Sequence, residues 1–244
     1  MIKITALIIT LNEEKHIGAC IDSLTGVADE VLVIDSLSTD KTKEIAGSKG
    51  ARVIESAFKG FGPQRNFGAL YASHDLILVL DADEQISQEL KESIVTVKNA
   101  GTMAAAYCFN WLNFVGDRAV KTCGWYPDRH CRMYDKNKAK WNDRKVHEGL
   151  MVNGETVFLE GDVMHHTYDS LPHLKEKTTA YARLGASLHK GKNPLILTVK
   201  MIFNPAIKFI KTYIFQLGFT DGYLGFMISY YRARETFFKY YWAL

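Results

Sequence analysis

The sequence predicts an α/β fold in which a mostly parallel central sheet is flanked by helices, followed by a helical C-terminal extension rich in aromatic and basic residues. Short apolar runs of strand length alternate with stretches of helical spacing through the first hundred residues, as in consecutive β-α-β units. The run LILVL at residues 76–80 is apolar without a break, as expected for a strand buried on both faces of a parallel sheet. Residues 195–244 contain 14 of the 29 aromatic residues, which marks the extension.

The predicted elements follow one another in this order. Strands are predicted at residues 4–10, 30–34, 51–55, 76–80, 104–114 and 132–134, and helices at residues 14–24, 39–47, 60–73 and from about residue 87. Crossover connections of this kind are right-handed and join parallel strands, and the carboxyl ends of parallel strands lie at one edge of the sheet. Open α/β sheets bind their ligands at that edge. Thr10, Asn12, Asp35 and Asp81 all fall on it.

An acidic segment, DADE, ends the strand at residues 76–80. Its carboxylates Asp81 and Asp83 repel each other unless a cation or a donor-rich ligand neutralises them. Hard oxygen ligands at this spacing suit Mg²⁺ or Mn²⁺ that also holds phosphate oxygens. The alternative is that both are turn and cap residues before the helix that starts near Ser87, since aspartate is common at such positions.

Other polar residues at the same edge suit a nucleotide. The segment TLNEE offers short side chains that can hydrogen-bond a base or ribose, and Asp35 can accept from a ring N–H. Arg65, near a helix start, can reach a phosphate. Taken singly, Asn12 and Asp35 could be turn or cap residues and Arg65 a surface residue. No GxGxxG motif follows the first strand, which argues against a Rossmann dinucleotide site and against a nucleotidyltransferase.

The motifs ITLNEE, VIDSLSTDKT, GFGPQRNFG and LVLDADE, in this order, resemble those of the family 2 glycosyltransferases of GT-A fold. The resemblance covers about residues 2–169, and it implies a nucleotide-sugar-binding and catalytic domain at residues 1–169 and a helical extension at residues 170–244. By this resemblance, the nucleotide-sugar site comprises Thr10, Asn12, Glu14, Asp35, Gln64, Arg65, Asp81 and Ala82. The metal ligands implied for Mg²⁺ or Mn²⁺ are Asp83, Asp81 and His165.

The second half of the resembling region should supply the acceptor site and the catalytic base. Trp125 and Tyr126 could stack on an acceptor sugar or could equally belong to the core. Inverting transfer needs a carboxylate that takes the proton of the acceptor hydroxyl. The family tends to place this base near the segment VHE, which favours Glu148, with Asp128 second. Glu148 could instead be a helix-terminus or salt-bridge residue, and His165 a strand-end residue without a ligand role.

The C-terminal extension carries the positive charge of the chain. Residues 195–244 hold six Lys or Arg against two acids, so this part carries +4 and the remainder −1. An amphipathic helix is predicted at residues 170–190, and Asn204 and Pro205 are expected to cap and start a later helix ending near residue 217. Lysines interrupt the apolar stretches, so a membrane-spanning helix is not expected. The composition favours the inner membrane surface as a partner over nucleic acid, with packing onto the catalytic domain or into a homo-oligomer as the alternative.

The cysteine pattern and the first residues bear on location. The four cysteines form no CxxC pair and no regular framework, which predicts buried thiols in a reduced cytosolic setting. A disulfide or metal site that joins Cys123 and Cys131 is an alternative. The opening MIKITALIIT is soon followed by polar residues, so we expect a first strand and no signal peptide. The expected location is the cytoplasm, at the periphery of the inner membrane.

Together these features predict a metal-dependent inverting glycosyltransferase. The segments WYPDRHCRMY, VHE and GFTDG resemble bacterial enzymes that extend the lipopolysaccharide inner core. That resemblance implies UDP-glucose as the nucleotide-sugar donor and a hydroxyl of a glycan or lipid-linked acceptor, such as a core heptose. One alternative is a polyprenyl-phosphate glycosyltransferase, whose acceptor is already anionic and needs no base. Another is a non-catalytic sugar-binding or scaffold protein, against which the intact Asp81, Asp83 and Arg65 argue.

Overall fold

A computed structural model describes residues 1–142 and 149–244. The strands are β1 (Ile4–Thr10), β2 (Glu30–Asp35), β3 (Arg52–Glu55), β4 (Leu76–Asp81), β5 (Glu84–Ile86), β6 (Ala106–Val115), β7 (Arg118–Ala119), β8 (Arg129–Asp135), β9 (Ala139–Trp141), β10 (Leu150–Val152) and β11 (Thr156–Tyr168). The helices are α1 (Ile17–Ser23), α2 (Thr42–Ser48), α3 (Phe61–Tyr71), α4 (Gln88–Ala100), α5 (Leu171–Ser187), α6 (Pro194–Ile210) and α7 (Gly222–Tyr241). A π-helical turn, Lys211–Phe215, and a 3₁₀ turn, Gly218–Asp221, lie between α6 and α7.

The central sheet confirms the predicted α/β architecture. Within the described residues its strands lie in the order β3-β2-β1-β4-β8-β6-β11-β5, with β7 paired to β6. β3, β2, β1 and β4 are parallel, as the alternation of strands and helices predicts. β8 then pairs antiparallel with β4 and with β6, and β11 pairs antiparallel with β5. The parallel strands therefore share one carboxyl edge, and the antiparallel strands continue the sheet sideways from β4.

Strand β4 is buried on both faces, which explains its unbroken apolar run. Leu76, Leu78 and Leu80 belong to one core cluster, and Ile77 and Val79 belong to the cluster on the other side. Because successive side chains of a strand point to opposite faces, a strand covered on both sides must be apolar at every position. The apolar run stops where the chain reaches the edge of the sheet.

Glycine and serine set the positions of two helices around this sheet. α3 packs on the sheet through Gly68, where a Cβ atom would lie 2.9 Å from Ile34 Cγ1 and closer still to Leu7. α4 begins after Ser87, whose hydroxyl accepts a hydrogen bond from the Leu90 N–H, so the helix predicted from about this residue is confirmed.

By contacts between residues the chain divides into two units. The first comprises Met1–Trp111 and Asp128–His165, and the second comprises Leu112–Pro127 and His166–Leu244. The second unit has its own core, in which Val120, Cys123, Leu224 and Ile228 are buried. The division at residue 169 stays a prediction. No helix in the described ranges combines the length and the apolar character needed to cross a membrane.

The prediction that Asn204 and Pro205 start a helix is wrong. Both residues lie inside α6, which begins at Pro194 with the Asn193 side chain accepting from a backbone N–H. Asn204 Nδ2 donates to the hydroxyl of Tyr240 at 3.1 Å, so this side of α6 is held against α7. Tertiary packing of this kind stabilises a helix across a proline, which removes one backbone hydrogen bond.

The cysteine prediction is also wrong in part. Cys108 and Cys131, which are opposite each other in the β6-β8 pair, form a disulfide, so neither is a free thiol and Cys131 is not paired with Cys123. Cys20 and Cys123 are buried free thiols, as predicted. The antiparallel register that joins residues 108 and 131 is not visible in the spacing of the cysteines along the chain.

Candidate active site

The ends of three parallel strands bring the predicted edge residues together. In the register of the sheet, Thr10 at the end of β1 is opposite Asp35 at the end of β2, and Ile9 is opposite Asp81 at the end of β4. The sheet therefore places the motifs after β1, β2 and β4 side by side, as the sequence predicts. All of these residues belong to the first unit.

Asp81 lies between two arginines. Arg65 Nη2 donates to both Asp81 carboxylate oxygens, at 3.0 and 3.3 Å, and Arg132 Nη1 is 3.6 Å from Oδ1. The Arg65 guanidinium is only 1% exposed, and it stacks on Trp141 with its central carbon 4.6 Å from the ring centroid. The Arg132 guanidinium lies near the rings of Trp111 and Trp141, at 5.3 and 5.4 Å. Two cations are thus held beside one carboxylate in a largely dry, aromatic setting.

The charges of the arginines control the ionisation of Asp81. Burial by itself would raise the pKa of this carboxyl group, but the neighbouring Arg65 and Arg132 outweigh it and hold the pKa at about 2. Asp81 is therefore a carboxylate at neutral pH, and it neutralises one of the two arginine charges. Arg65, Arg132 and Asp81 together carry one net positive charge, which favours an anionic ligand beside the arginines.

Asp83 pairs with His165. The antiparallel register of β5 and β11 sets His165 opposite Glu84, so that His165 Nε2 is 3.3 Å from Asp83 Oδ2. Burial lowers the pKa of His165, but the hydrogen bond with Asp83 and the charges of Glu84, Asp83 and Asp81 outweigh it and raise the pKa. The pair joins the acidic motif to a histidine that is remote from it in sequence.

This pair fits a divalent cation better than Asp81 does. Two ligands that bind Mg²⁺ or Mn²⁺ at about 2.1 Å in neighbouring octahedral positions are about 3 Å apart, close to the 3.3 Å between Asp83 and His165. Asp81 is already paired with two arginines, whose charges disfavour a cation beside it. Among the described residues no three His, Cys, Asp or Glu side chains are arranged as a metal site. Asp83 and His165 could hold an ion that takes its other ligands from a diphosphate and water.

Glu84 connects the acidic motif to the core. Its Oε2 accepts from the backbone N–H of Asp81 at 2.8 Å, and its Oε1 accepts from Trp111 Nε1 at 2.6 Å. The residue is 1% exposed, and burial together with the Asp81 charge raises the pKa of its carboxyl group. Glu84 thereby holds the turn at residues 81–83 in place.

The residues after β1 and β2 form a network of their own. Asn12 has a positive φ of 55°, its N–H donates to Ser38 Oγ, and its Oδ1 accepts from the N–H of Thr39 at 2.8 Å. Asp35 is buried and accepts from the N–H and the hydroxyl of Ser38. Both therefore make the turn contacts that the alternative interpretation expects, while free lone pairs of the Asp35 carboxylate can still accept from a base.

The remaining predicted nucleotide-sugar ligands differ in whether their side chains are free to bind a ligand: these are Thr10, Glu14, Gln64 and Ala82. Thr10 Oγ1 is buried and has no hydrogen-bond partner among the described residues, as expected of a group that awaits a ligand. Glu14 is tied to the start of α2, where its Oε2 accepts from the Lys41 N–H at 3.1 Å. Gln64 is 2% exposed and donates to Ser56 O and Ser36 Oγ, so it joins two edge loops. Ala82 is buried in the turn between the two aspartates.

Of the two residues predicted as the catalytic base, the structure describes only Asp128. Glu148 lies outside the described residues. Asp128 Oδ1 is 3.0 Å from His130 Nε2, and its backbone carbonyl accepts from the N–H of Trp111 at 2.7 Å. Since Trp111 also donates to Glu84, two hydrogen bonds connect Asp128 to the acidic motif. Its half-exposed carboxylate is paired with an imidazole that can relay or orient a proton.

Trp125 and Tyr126 belong to the second unit. Trp125 is half-buried and packs on the core of that unit, with its ring 5.6 Å from Tyr168. Tyr126 is partly exposed, with Lys121 Nζ 5.4 Å from its ring centroid. The core interpretation thus accounts for Trp125, and acceptor binding by either residue stays a prediction.

Sequence reasoning missed Arg132, Trp111 and Trp141 as site residues. Arg132 lies within WYPDRHCRMY, a segment rich in basic and aromatic residues that gives a weak signal. Trp141 is fixed to α3 by Asn66, whose side chain donates to its carbonyl and accepts from its N–H. Nothing local in the sequence links this tryptophan to Arg65.

The chain is similar to known glycosyltransferases. The family model described as glycosyl transferase family 2 matches residues 5–153. An uncharacterized glycosyltransferase of Rickettsia typhi is 30% identical over 98% of this chain and 86% of its own length. The lipopolysaccharide core biosynthesis glycosyltransferase LpsC of Rhizobium meliloti is 27% identical over 92% of this chain and 85% of its own. Among solved structures, TarS of S. aureus aligns with a TM-score of 0.49 and 17% identity, covering 74% of this chain and 39% of that one.

Proposed function

Because this chain belongs to glycosyl transferase family 2, we propose that it transfers glucose from UDP-glucose, with inversion, to a hydroxyl group of the lipopolysaccharide core. The observation that carries this proposal is the pairing of Asp81 with Arg65 and Arg132 beside the Asp83-His165 pair. A diphosphate binds where cations are held in place, as Arg65 and Arg132 are beside Asp81. A metal ion needs a carboxylate that is not neutralised by arginine, and Asp83 is such a carboxylate. The sheet edge offers both next to each other.

The donor would bind along the ends of the parallel strands. Asp35 and Asn12 would face the base and ribose, and the Thr10 hydroxyl, which has no hydrogen-bond partner among the residues that the structure describes, would be a further hydrogen-bonding group. Arg132 would hold a diphosphate oxygen, since its buried Nη1 has no hydrogen-bond partner in the described ranges. Arg65 would act through Asp81, which it holds in place.

Asp83 and His165 would hold Mg²⁺ or Mn²⁺. When bound, the ion supplies positive charge to the diphosphate as the bond to the sugar breaks. Asp83 contributes the anionic ligand and His165 the imidazole, whose orientation is set by the β5-β11 register. Glu84 keeps Asp83 in position because it holds the preceding Asp81 N–H.

The transfer itself forms one bond and breaks one. The acceptor hydroxyl oxygen bonds to the anomeric carbon, the bond from that carbon to the diphosphate oxygen breaks, and UDP leaves with the electron pair. The hydroxyl proton passes to a carboxylate, either Glu148 or Asp128. The pairing of Asp128 with His130 supports it as a candidate, since the imidazole can orient the carboxylate.

The acceptor assignment is supported by the similarity to LpsC over nearly the whole chain. A core glycan is attached to lipid, so we place the enzyme at the cytoplasmic face of the inner membrane as a peripheral protein. The alternative is that the C-terminal helices contact a second copy of the chain in a homo-oligomer and not the membrane surface.

The first test measures UDP release from a panel of UDP-sugars, with and without Mn²⁺, and with a lipopolysaccharide-core acceptor. We expect one sugar to be selected, dependence on the ion, and a kcat/KM about 100-fold or more lower in Asp83→Ala, in line with loss of one electrostatic stabilising group. The matched control is Asp117→Ala, at an exposed residue of the second unit. Equal activity of Asp83→Ala and wild type would refute the proposed metal site.

The second test compares Glu148→Gln with Asp128→Asn. Loss of kcat in one variant, with donor binding kept, would identify the base. Full transfer by both variants to a polyprenyl phosphate would favour the phosphate-acceptor alternative, and failure of the wild type to bind any UDP-sugar would favour the non-catalytic alternative.

A further inference from the structure

Helix α6 has an exposed apolar face. We define this outer face by Leu195, Val199, Ile202, Phe203, Ile207 and Ile210, all of which are at least 48% exposed. At 100° per residue these six side chains fall within an arc of about 140°. An apolar stripe of this width is the kind that a surface helix normally turns toward a core.

The opposite side of α6 packs against the other helices of the second unit. Leu197 is 1% exposed and packs in a cluster with Ala186, Tyr240 and Ala243. Asn204 holds the same side through its hydrogen bond to Tyr240. A helix that is apolar on both sides is expected where both sides are covered, so the outer face needs a partner outside its own unit.

The apolar surface continues past the end of α6. We define the apolar turn by Ile214, Phe215, Leu217, Phe219 and Tyr223, of which Phe215 is 78% and Tyr223 70% exposed. Leu217 takes a positive φ of 57°, which is unusual for a leucine. Exposed large aromatic and aliphatic side chains in succession are costly in water and favourable at the boundary between lipid headgroups and acyl chains.

Charge identifies the partner of this surface. From residue 177 to residue 220 the chain has no Asp or Glu, while it has seven Lys or Arg. Lys200 and Lys211 are exposed and lie next to Ile207 at one margin of the outer face. In a two-fold dimer the same patch faces itself, so lysines would meet lysines, while the acid within the apolar turn, Asp221, already accepts a hydrogen bond from Thr122. An anionic lipid surface offers the complementary charge.

We propose that the outer face of α6 and the apolar turn lie in the interface of an anionic phospholipid bilayer, with Lys200 and Lys211 at the level of the headgroups. This inference names the residues behind the proposed peripheral location. It rests on the proposed function only in that a membrane-bound enzyme would reach a lipid-linked acceptor. Lipid binding is measured without any sugar, so its failure is separate from failure of the proposed transfer.

The electrostatic part is tested by flotation of the full chain with vesicles of phosphatidylcholine, with and without phosphatidylglycerol. A lysine near an anionic surface contributes a factor of about five in affinity, so the double variant Lys200→Gln/Lys211→Gln should bind anionic vesicles about 25-fold more weakly. The control Lys3→Gln/Lys140→Gln removes the same charge from exposed residues of the first unit and should bind as the wild type does.

The apolar part is tested with Ile207→Ser on the same vesicles. Ile207 is 61% exposed, and the transfer free energy of an isoleucine scaled to that fraction predicts about tenfold weaker binding. The control is Leu70→Ser, which removes an 82% exposed leucine from α3 of the first unit and should have no effect. Both substitutions are at exposed positions, and far-UV circular dichroism would verify that both variants are folded.

Three results would overturn the proposal. The first is a wild type that does not float with anionic vesicles. The second is that Lys200→Gln/Lys211→Gln and its control weaken binding to anionic vesicles equally, which would mean that only the net charge of the chain matters. The third is a stable dimer that Ile207→Ser dissociates in the absence of lipid, which would identify a second copy as the partner.

Discussion

Replacement of Asp81 by asparagine tests whether the arginine pair is held by this carboxylate. The change keeps the shape of the side chain but removes the charge that faces Arg65, at 3.0 Å, and Arg132, at 3.6 Å. The lowering of the Asp81 pKa from 3.8 to about 2 corresponds to about 2 kcal/mol of stabilisation of the folded state. Breaking a buried ion pair from one side costs about 3–5 kcal/mol, because the other charge stays buried without its partner. We therefore expect Asp81→Asn to lower the free energy of unfolding by about 2–5 kcal/mol at pH 7.

Urea denaturation without divalent ions, followed by circular dichroism, measures this loss. The matched control is Glu55→Gln, which removes a carboxylate from an exposed ion pair with Lys43 and should change stability by at most about 1 kcal/mol. An Asp81→Asn protein as stable as the wild type at pH 7 would refute the reasoning, because it would mean that the guanidiniums do not depend on Asp81.

The same pair of proteins gives a pH test with a defined sign. A lowered folded-state pKa contributes stability above the unfolded-state pKa of 3.8, and the contribution is lost as pH falls toward about 2. The part of the difference between wild type and Asp81→Asn that comes from ionisation of Asp81 itself should therefore be constant from pH 7 to 5 and should fall by about half at pH 3. Because the charge of Asp81 also raises the pKa of Glu84 and of His165, the titration of these two neighbours differs between the two proteins and adds to the difference above about pH 4. Below about pH 4, where both neighbours are largely protonated, a difference that grows on acidification would contradict the assignment.

Two further predictions concern the support of the site. Trp111→Phe removes the donor to the buried Glu84 carboxylate and should cost about 1–3 kcal/mol in the free energy of unfolding, measured by urea denaturation; unchanged stability would show that this hydrogen bond does not hold Glu84. Gly68→Ala should destabilise by about 1–3 kcal/mol, because its Cβ would crowd Ile34, whereas Gly47→Ala in α2, with open space around it, should stabilise by about 0.5–1 kcal/mol. Thermal denaturation of both alanine variants tests this, and shifts of the same sign would contradict the packing of α3.

Local patterns were sufficient for the fold and for the edge of the sheet where the candidate site residues meet. The unbroken apolar run of β4 and the alternation of strands with helices predict parallel strands, and these place Thr10, Asp35 and Asp81 at one edge. They did not predict the course of α6 through Pro205, because the stability of that helix comes from its contact with α7. The disulfide of Cys108 with Cys131 was missed for a related reason, since it depends on the register of two antiparallel strands.

The sequence by itself determined the family and the edge of the sheet, because these depend on short motifs and on the periodicity of apolar residues, and it predicted most of the candidate ligands, whose roles stay predictions. Only the tertiary structure decided that Asp81 is paired with Arg65 and Arg132, while Asp83 is paired with His165. The physical reason is that these pairs join segments distant in sequence, whose meeting depends on strand register and core packing. The exposure of the outer face of α6 was decided in the same way, since a helical pattern shows that a face is apolar but not whether the rest of the chain covers it.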